Sequence, residues 1–238
     1  MREARPAAEE LVSVVLPVYN QADHLEEVVD EYEAALKRLP CRHETVLVPN
    51  GCRDDSEAIS RGLADRYADV RVVSSQRGGW GRAVKLGLSE AGGSLLCYTN
   101  LARTTAQDLT LLLLYAVTFP DVVVKANRKI RESLRRRGGS LLYNLECRAL
   151  FDLSYWDING TPKVFPRRFD RLLGLTRDDD LIDAEFALIC RRAGYPLIEV
   201  PIFASKRHGG RSTTSLRSAL RLYWGAYVLA RAAGAARP

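Results

Sequence analysis

The sequence predicts an α/β fold in which a Rossmann-like, mostly parallel central sheet is flanked by helices. Short β-rich runs alternate with stretches in which apolar residues recur at helical spacing. The connections between these runs are short, which favours parallel strands joined by helical crossovers. At 238 residues the chain is long enough to bury a sizeable core.

The first strand, Leu11–Leu16, is β-rich and ends at the loop Pro17–Gln21. Apolar residues at helical spacing then predict a helix over 22–39. A dinucleotide-binding fold would carry GxGxxG directly after this strand, but the loop contains no glycine. We therefore expect neither a nicotinamide nor a flavin enzyme.

Two further strand–loop–helix units follow. Thr45–Val48 ends in a polar loop whose last residues can cap a helix. Val70–Val73 leads into the glycine-rich segment 76–82 and then into a helix. In doubly wound sheets ligands bind at the carboxyl ends of the strands, so these loops predict one common binding edge.

The fourth strand ends at the residues on which the functional interpretation depends. Leu95–Tyr98 is an apolar run, and Thr99 and Asn100 break it. Thr105–Asp108 then has the character of the first turn of a helix. Later strands are predicted at 121–125 and 199–202.

Composition limits the class of protein. The five cysteines are scattered singly without a CxxC pair, which predicts free thiols and no zinc cluster. The first ten residues lack a signal sequence, and no apolar run approaches about 18 residues, so we expect a cytoplasmic chain that does not cross a membrane. The formal charge of +6 favours anionic partners. No recognition motif accompanies the arginines, so we expect no nucleic acid partner.

A series of segments, in order and spacing, resembles family 2 glycosyltransferases, and within them the polyprenyl-phosphate subgroup similar to dolichyl-phosphate mannose synthases. The segments are VSVVLPVYNQ, VPNGCRDDS, RGGWGRAVKLG, Gly93–Leu109, DINGTPKVFPR, Asp183–Glu185 and RHGGRST. The resemblance implies a GT-A fold over residues 1–214, and the residue pattern beyond it predicts a C-terminal amphipathic helix or tail over 215–238. It also implies an inverting enzyme that moves a sugar from a nucleoside diphosphate sugar to an acceptor.

The resemblance implies a donor site at the strand ends. Gln21 and Asn50 stand where the family has acidic residues, and Asn50 can still donate and accept hydrogen bonds. Gly79, Gly81 and Arg82 resemble the family's glycine-plus-basic turn, which would approach a phosphate. The implied nucleotide-sugar contacts are Pro17, Tyr19, Gln21, Asn50, Gly79, Gly81, Arg82, Thr99, Asn100, Arg207 and Ser212.

The family's Asp-x-Asp motif, which holds a divalent cation on the donor diphosphate, falls on Thr99, Asn100 and Leu101. Hard cations need anionic oxygen ligands, so the resemblance implies that the usual metal site is missing. We expect Arg103 to replace the ion, because a guanidinium can bind two phosphate oxygens at once, and hence a metal-independent transferase. Two alternatives stay open: Mg²⁺ or Mn²⁺ held by other residues, and a non-catalytic protein that binds a sugar nucleotide.

The resemblance implies a polyprenyl phosphate acceptor, with a small hydroxylated metabolite as the alternative. Arg128 follows a strand, and Arg136 and Ser140 share a helix face because they are four residues apart. These three residues would hold the acceptor phosphate. Asp157, in the segment 154–167 that would line the sugar and return to the sheet, is a further acceptor-site candidate with an equally plausible structural role.

A hydroxyl acceptor needs a general base, whereas a phosphate acceptor is already ionised. Asp183 or Glu185 is the candidate for that base, against the alternative of an acidic surface loop. From Ser215 a predicted helix carries apolar and aromatic residues on one face, with arginines beside it. Such a helix suits peripheral contact with the inner face of a membrane, or packing on its own domain.

Overall fold

The computed structural model describes residues 10–130, 134–203, 209 and 216–235. Seven strands, seven α-helices and a 3₁₀ helix, Asp170–Gly174, are defined within these residues. The strands are β1 (Leu11–Val18), β2 (Arg42–Pro49), β3 (Val70–Val72), β4 (Leu95–Tyr98), β5 (Val123–Ile130), β6 (Lys163–Pro166) and β7 (Leu197–Phe203). The helices are α1 (Leu25–Leu36), α2 (Ser56–Arg66), α3 (Trp80–Glu90), α4 (Ala106–Thr118), α5 (Leu134–Phe151), α6 (Ile182–Ala193) and α7 (Leu216–Ala235).

The strands form one sheet in the order β3-β2-β1-β4-β6-β5-β7. Four of the six strand pairings are parallel, and the two exceptions are those of β6, which runs antiparallel between β4 and β5. The expected α/β class with a mostly parallel sheet is therefore confirmed. The segment 154–167 returns to the sheet as expected, because it contains β6.

The two faces of β1 build two cores. Val12, Val14 and Leu16 pack with apolar residues of α1 and α4 on one side of the sheet. Val15 faces the other side, where residues of α3 and α6 such as Val84 cover it. This alternation follows from the two-residue period of a strand. Because β1 is buried on both faces, its sequence is a nearly continuous apolar run.

Element bounds differ from the predictions where the ends are polar. β2 begins at Arg42 rather than Thr45. Arg42 and His43 are polar, but their backbones pair with those of Leu11 and Val12 and extend the strand. α1 begins at Leu25 rather than Ala22, because the backbone of 21–24 forms a turn. The carbonyl oxygen of Gln21 closes this turn by accepting a hydrogen bond from Leu25 N.

The C-terminal helix α7 packs on the rest of the chain through a third apolar cluster. Ala226 is fully buried in a group with Tyr143 and Cys147 of α5 and Ala184 of α6. A Cβ at Gly225 would lie 2.2 Å from a methyl carbon of Leu181, so glycine permits this close approach. The domain boundary at residue 214 stays a prediction. Within the described residues no helix is both long and apolar enough to cross a membrane.

Candidate functional site

The carboxyl ends of β1, β2 and β4 meet at one edge of the sheet, as predicted. Val18 pairs with Pro49, and Val15 pairs with Tyr98, so the loops that follow the three strands begin side by side. Tyr19 is 41% exposed at this edge. Gln21 is buried, and its side-chain oxygen has no hydrogen-bond partner among the described residues. A buried acceptor oxygen without a partner can receive a hydrogen bond from a ligand.

The side chain of Asn50 links the ends of β1 and β2 to the glycine-rich turn at Gly79 by hydrogen bonds. Its Nδ2 donates to the carbonyls of Val18 and Val48 at 2.8 and 3.2 Å, and its Oδ1 accepts from Gly79 N at 3.0 Å. Asn50 is buried, so these bonds to backbone orient the edge of the sheet. The predicted contact between Asn50 and the nucleotide base stays a prediction.

The turn at Gly79 and Gly81 packs against the backbone of 177–179. A Cβ at Gly81 would lie 2.4 Å from the carbonyl oxygen of Arg177, and one at Gly79 would lie 2.7 Å from that of Asp178. Both glycines therefore permit close approach of two loops. The structure describes this packing and leaves their predicted contact with a phosphate untested.

Arg82 shares one carboxylate with Lys85. Arg82 Nη2 donates to Asp178 Oδ2 at 2.5 Å, and Lys85 Nζ lies 2.8 Å from Asp178 Oδ1. The hydrogen bond from Lys85, with the charge of Arg82, lowers the pKa of Asp178. Asp178 thus holds two cations at the edge of the sheet where the donor diphosphate is expected.

Thr99, Asn100 and Leu101, the residues predicted to stand at the Asp-x-Asp position, do not fit a site for a hard cation. Thr99 and Leu101 are fully buried, and Thr99 Oγ1 lies 2.7 Å from Thr104 Oγ1. Asn100 Oδ1 accepts from Ala102 N at 3.1 Å. The side chains are thus either apolar or engaged within the turn, and none of the three is anionic.

Arg103 lies in the turn that follows β4. Its backbone N–H donates to Asn100 O at 3.0 Å, and the residue is half-buried. The helix α4 starts directly afterwards, where Thr105 Oγ1 accepts from Asp108 N at 3.0 Å, as the predicted first turn requires. The backbone of Arg103 therefore lies at the carboxyl edge of the sheet, where α3, the helix that carries Arg82 and Lys85, also begins.

Asp183, a candidate base, is held inside the core. Tyr98 donates to Asp183 Oδ1 at 3.0 Å, and Lys163 Nζ forms an ion pair with the same oxygen. Lys163 pairs with Tyr98 across the antiparallel β4–β6 ladder, which brings both to one carboxylate. Burial lowers the pKa of Lys163 although Asp183 opposes the shift, and burial raises the pKa of Tyr98.

Glu185, the other candidate base, stabilises a turn. It accepts from Thr176 N at 3.0 Å, from Thr176 Oγ1 at 2.6 Å and from Arg177 N at 2.9 Å. The turn it stabilises is the one that packs on Gly81. Both carboxylates therefore have structural partners, and the role of either as a base stays a prediction.

A cavity of about 390 Å³ lies at the end of β5. It brings together three predicted acceptor residues, Arg128, Ser140 and Asp157. The side chain of Arg136 lies outside the described residues, as do Arg207 and Ser212. The other residues lining the cavity are Asn127, Lys129, Gly138, Leu141, Asn144 and Trp156.

Arg128 and Asp157 form a bidentate pair on the cavity wall. Arg128 Nε and Nη2 each donate to Asp157 at 2.7 Å, and Arg128 N also donates to it at 2.9 Å. Asp157 has a φ of +49°, a left-handed conformation that these three bonds stabilise. Burial alone would lower the pKa of the Arg128 guanidinium. The attraction of the Asp157 carboxylate is stronger, so the pKa is raised.

Trp156 is one of the cavity residues that sequence reasoning did not single out. Its backbone is fixed by the ion pair of Lys125 and Glu199: Lys125 Nζ donates to Trp156 O at 2.6 Å, and Glu199 Oε2 accepts from Trp156 N at 2.9 Å. Arg148 lies 4.0 Å from the centre of the indole ring. The only sequence signal was its place beside Asp157 in the segment 154–167.

Comparisons with known proteins agree with this architecture. A family model described as "Glycosyl transferase family 2" matches residues 13–168. The undecaprenyl-phosphate 4-deoxy-4-formamido-L-arabinose transferase of Pseudomonas savastanoi pv. phaseolicola is 34% identical over 146 residues, covering 59% of this chain and 43% of that protein. The transferase of the same name from Pseudomonas fluorescens is 26% identical over 217 residues, covering 90% of this chain and 63% of its own length. The chain thus spans less than two thirds of these relatives.

Among solved structures, glucosyl-3-phosphoglycerate synthase from Mycobacterium tuberculosis, in complex with Mn²⁺, uridine diphosphate and phosphoglyceric acid, superposes with a TM-score of 0.73. The two are 18% identical, and the match covers 93% of this chain and 78% of the synthase. At this identity the likeness establishes the fold, and the expected GT-A fold is confirmed.

Proposed function

The chain belongs to glycosyl transferase family 2, and from that membership we propose an inverting transferase that moves a sugar from a nucleoside diphosphate sugar to a polyprenyl phosphate. An acceptor phosphate oxygen attacks the anomeric carbon, and the bond from that carbon to the donor diphosphate breaks. The products are a polyprenyl phosphosugar and a nucleoside diphosphate. The relatives whose names specify undecaprenyl phosphate support this acceptor class.

One observation carries the choice of acceptor: both carboxylates predicted as a base are already engaged. Asp183 is neutralised by Lys163 inside the core, and Glu185 accepts bonds from Thr176 and Arg177. A hydroxyl acceptor would need a carboxylate able to take its proton, whereas a phosphate arrives ionised. The arrangement therefore supports a phosphate acceptor.

The cavity at the end of β5 supports the same acceptor class. Arg128 and Lys129 outnumber the one carboxylate of the lining, Asp157, so the cavity carries a net positive charge, and Ser140 supplies a hydroxyl donor. Both features suit a phosphate. Leu141 lines the cavity, and the next residues of α5 keep the surface apolar, since Leu142 and Leu145 are 60% and 46% exposed. On α7, Leu220 and Trp224 are 70% and 68% exposed. An isoprenoid chain can lie on such a surface, and we propose peripheral contact with the cytoplasmic face of a membrane.

We propose that Arg103, with Arg82 and Lys85, stabilises the charge that develops on the departing diphosphate. The motif that usually holds a cation does not provide suitable ligands here. The mycobacterial synthase was solved with Mn²⁺, so a divalent ion held by other residues is the alternative to be tested.

The acceptor proposal is tested by transfer assays with undecaprenyl phosphate in detergent and with small phosphorylated or hydroxylated acids, each across a panel of sugar nucleotides. We expect product only with the lipid phosphate. Arg128→Lys, which cannot keep the bidentate bonds to Asp157 that hold the cation on the cavity wall, should raise KM for the lipid phosphate about tenfold while kcat changes less. Transfer only to small acceptors, or donor binding without any transfer, would contradict the proposal.

A further inference from the structure

Three side chains of different elements converge at the opposite edge of the sheet, where the strands begin. Glu33 lies near the end of α1, His43 near the start of β2, and Asp69 directly before β3. One nitrogen or oxygen atom of each lies within 4.8 Å of the corresponding atoms of the other two. Asn50 directly follows β2 and lies seven residues after His43, so at roughly 3.3 Å per residue this cluster lies about 23 Å from the proposed donor site.

The spacing of the two buried members suits a shared ion. His43 Nε2 and Glu33 Oε2 are 3.1 Å apart, and their side chains are 6% and 1% exposed. Two ligands about 2.1 Å from a tetrahedral zinc ion are themselves about 3.4 Å apart. The pair therefore needs only a small adjustment to coordinate one metal ion.

Neighbouring groups orient the candidate ligands. Thr45 Oγ1 donates to Glu33 Oε1 at 2.7 Å, which directs the other carboxylate oxygen at His43. Thr45 N donates to Asp69 O at 2.8 Å, which fixes the backbone that carries the third carboxylate. Hydrogen bonds of this kind support ligands in built metal sites.

The charge of the cluster also favours a cation. Glu33 and Asp69 contribute two carboxylates against one imidazole, and the Glu33 carboxylate is buried in contact with His43 and Thr45. Asp69 is exposed, so it adds a second negative charge and leaves a path by which an ion can enter.

We propose that Glu33, His43 and Asp69 bind one divalent transition-metal ion of the zinc type, with water completing the coordination. One imidazole nitrogen and two carboxylate oxygens form a donor set that suits such ions. The ion ties α1 and the start of β2 to the short edge strand β3, so its role is structural. It is separate from any ion at the donor site.

The test uses the whole chain, treated with EDTA, desalted and kept reduced, and then titrated with Co²⁺. We expect one equivalent to give the visible absorption bands of four-coordinate cobalt, and Zn²⁺ to raise Tm because it binds the folded state. Asp69→Asn removes an exposed ligand without disturbing the core and should weaken Co²⁺ binding by at least about tenfold.

Asp65→Asn is the matched control, because it removes the same charge from an exposed position on α2. It should leave Co²⁺ binding unchanged. A protein without cobalt bands would overturn the proposal and leave Glu33 and His43 as a simple ion pair. Equal affinity in the two variants, or a sulfur-to-cobalt charge-transfer band from cysteine ligands, would also overturn it.

Discussion

Tyr98 and Asp183 meet in the core, where the tyrosine hydroxyl donates a hydrogen bond of 3.0 Å to the carboxylate oxygen that also pairs with Lys163. All three groups are buried, so this network belongs to the stability of the fold. It joins the end of β4 to β6 and to the first turn of α6, the elements that set the shape of the candidate site.

Asp183→Asn should lower the free energy of unfolding by about 3–5 kcal/mol, because it leaves the Lys163 ammonium buried without its counter-charge. Chemical denaturation measures this loss. Asp152→Asn is the control, since it breaks an ion pair in which Asp152 is 84% exposed, and should cost at most about 1 kcal/mol. Normal stability of Asp183→Asn, together with loss of transfer to a hydroxyl acceptor, would contradict the structural role and support a general base.

Gly81→Ala should destabilise the protein by about 1–3 kcal/mol, because the new methyl group would press on the carbonyl of Arg177. It should also weaken binding of the sugar nucleotide, since the loop 177–179 must move. Gly62→Ala lies in another helix with open space around its Cβ and should stabilise by about 0.5–1 kcal/mol. Thermal unfolding and donor titration of the two variants test both effects, and equal stability of the two would contradict the packing argument.

Arg103→Ala should reduce kcat/KM for donor turnover by about a hundredfold, the usual effect of removing one group that stabilises developing negative charge. Arg103→Lys should recover part of the rate, because it restores charge without the bidentate geometry. Arg61→Ala, at a surface arginine of α2, is the control and should leave the rate unchanged. Steady-state kinetics decides: unchanged turnover in Arg103→Ala would eliminate the role of Arg103.

Protonation of Glu44 at low pH should make the protein less stable. Burial favours its protonated form, but hydrogen bonds from Ser13, Gly92 and Arg71 outweigh burial and lower the pKa of Glu44 from its ordinary 4.5. Its contribution is therefore fully present above pH 4.5 and is lost as the pH falls through the lower, folded-state value. In Glu44→Gln the unfolding free energy should fall less steeply over this acid range than in the parent. Identical slopes would contradict the assignment.

The elements that position the site could be predicted because their signals are local. The buried run Leu95–Tyr98 predicted β4, and Thr105 predicted the N-terminal cap of α4, which begins at Ala106. That Thr99 and Leu101 supply no carboxylate where the resemblance places Asp-x-Asp is likewise visible in the sequence, and the metal independence inferred from it stays a prediction.

Contacts between distant segments could not be predicted in this way. Nothing near Asp183 in the sequence indicates Lys163, which lies 20 residues away on an antiparallel strand. The sequence predicted Gly81 as part of a phosphate-binding turn. Its contact with the backbone of Arg177 depends on how α3 packs against the loop before α6, which the sequence does not indicate. Such pairings depend on topology, which local propensity and spacing do not encode.

The most direct test of the account is transfer of labelled sugar from a nucleoside diphosphate sugar to undecaprenyl phosphate, measured with EDTA and with added Mg²⁺ or Mn²⁺. Asp69→Asn is assayed in parallel, so that loss of the remote ion is not mistaken for loss of a donor ion. We predict transfer to the lipid phosphate that survives EDTA in both proteins and depends on Arg103. Transfer that EDTA abolishes in both proteins and metal restores, or donor binding with no transfer to the lipid phosphate, would contradict the account.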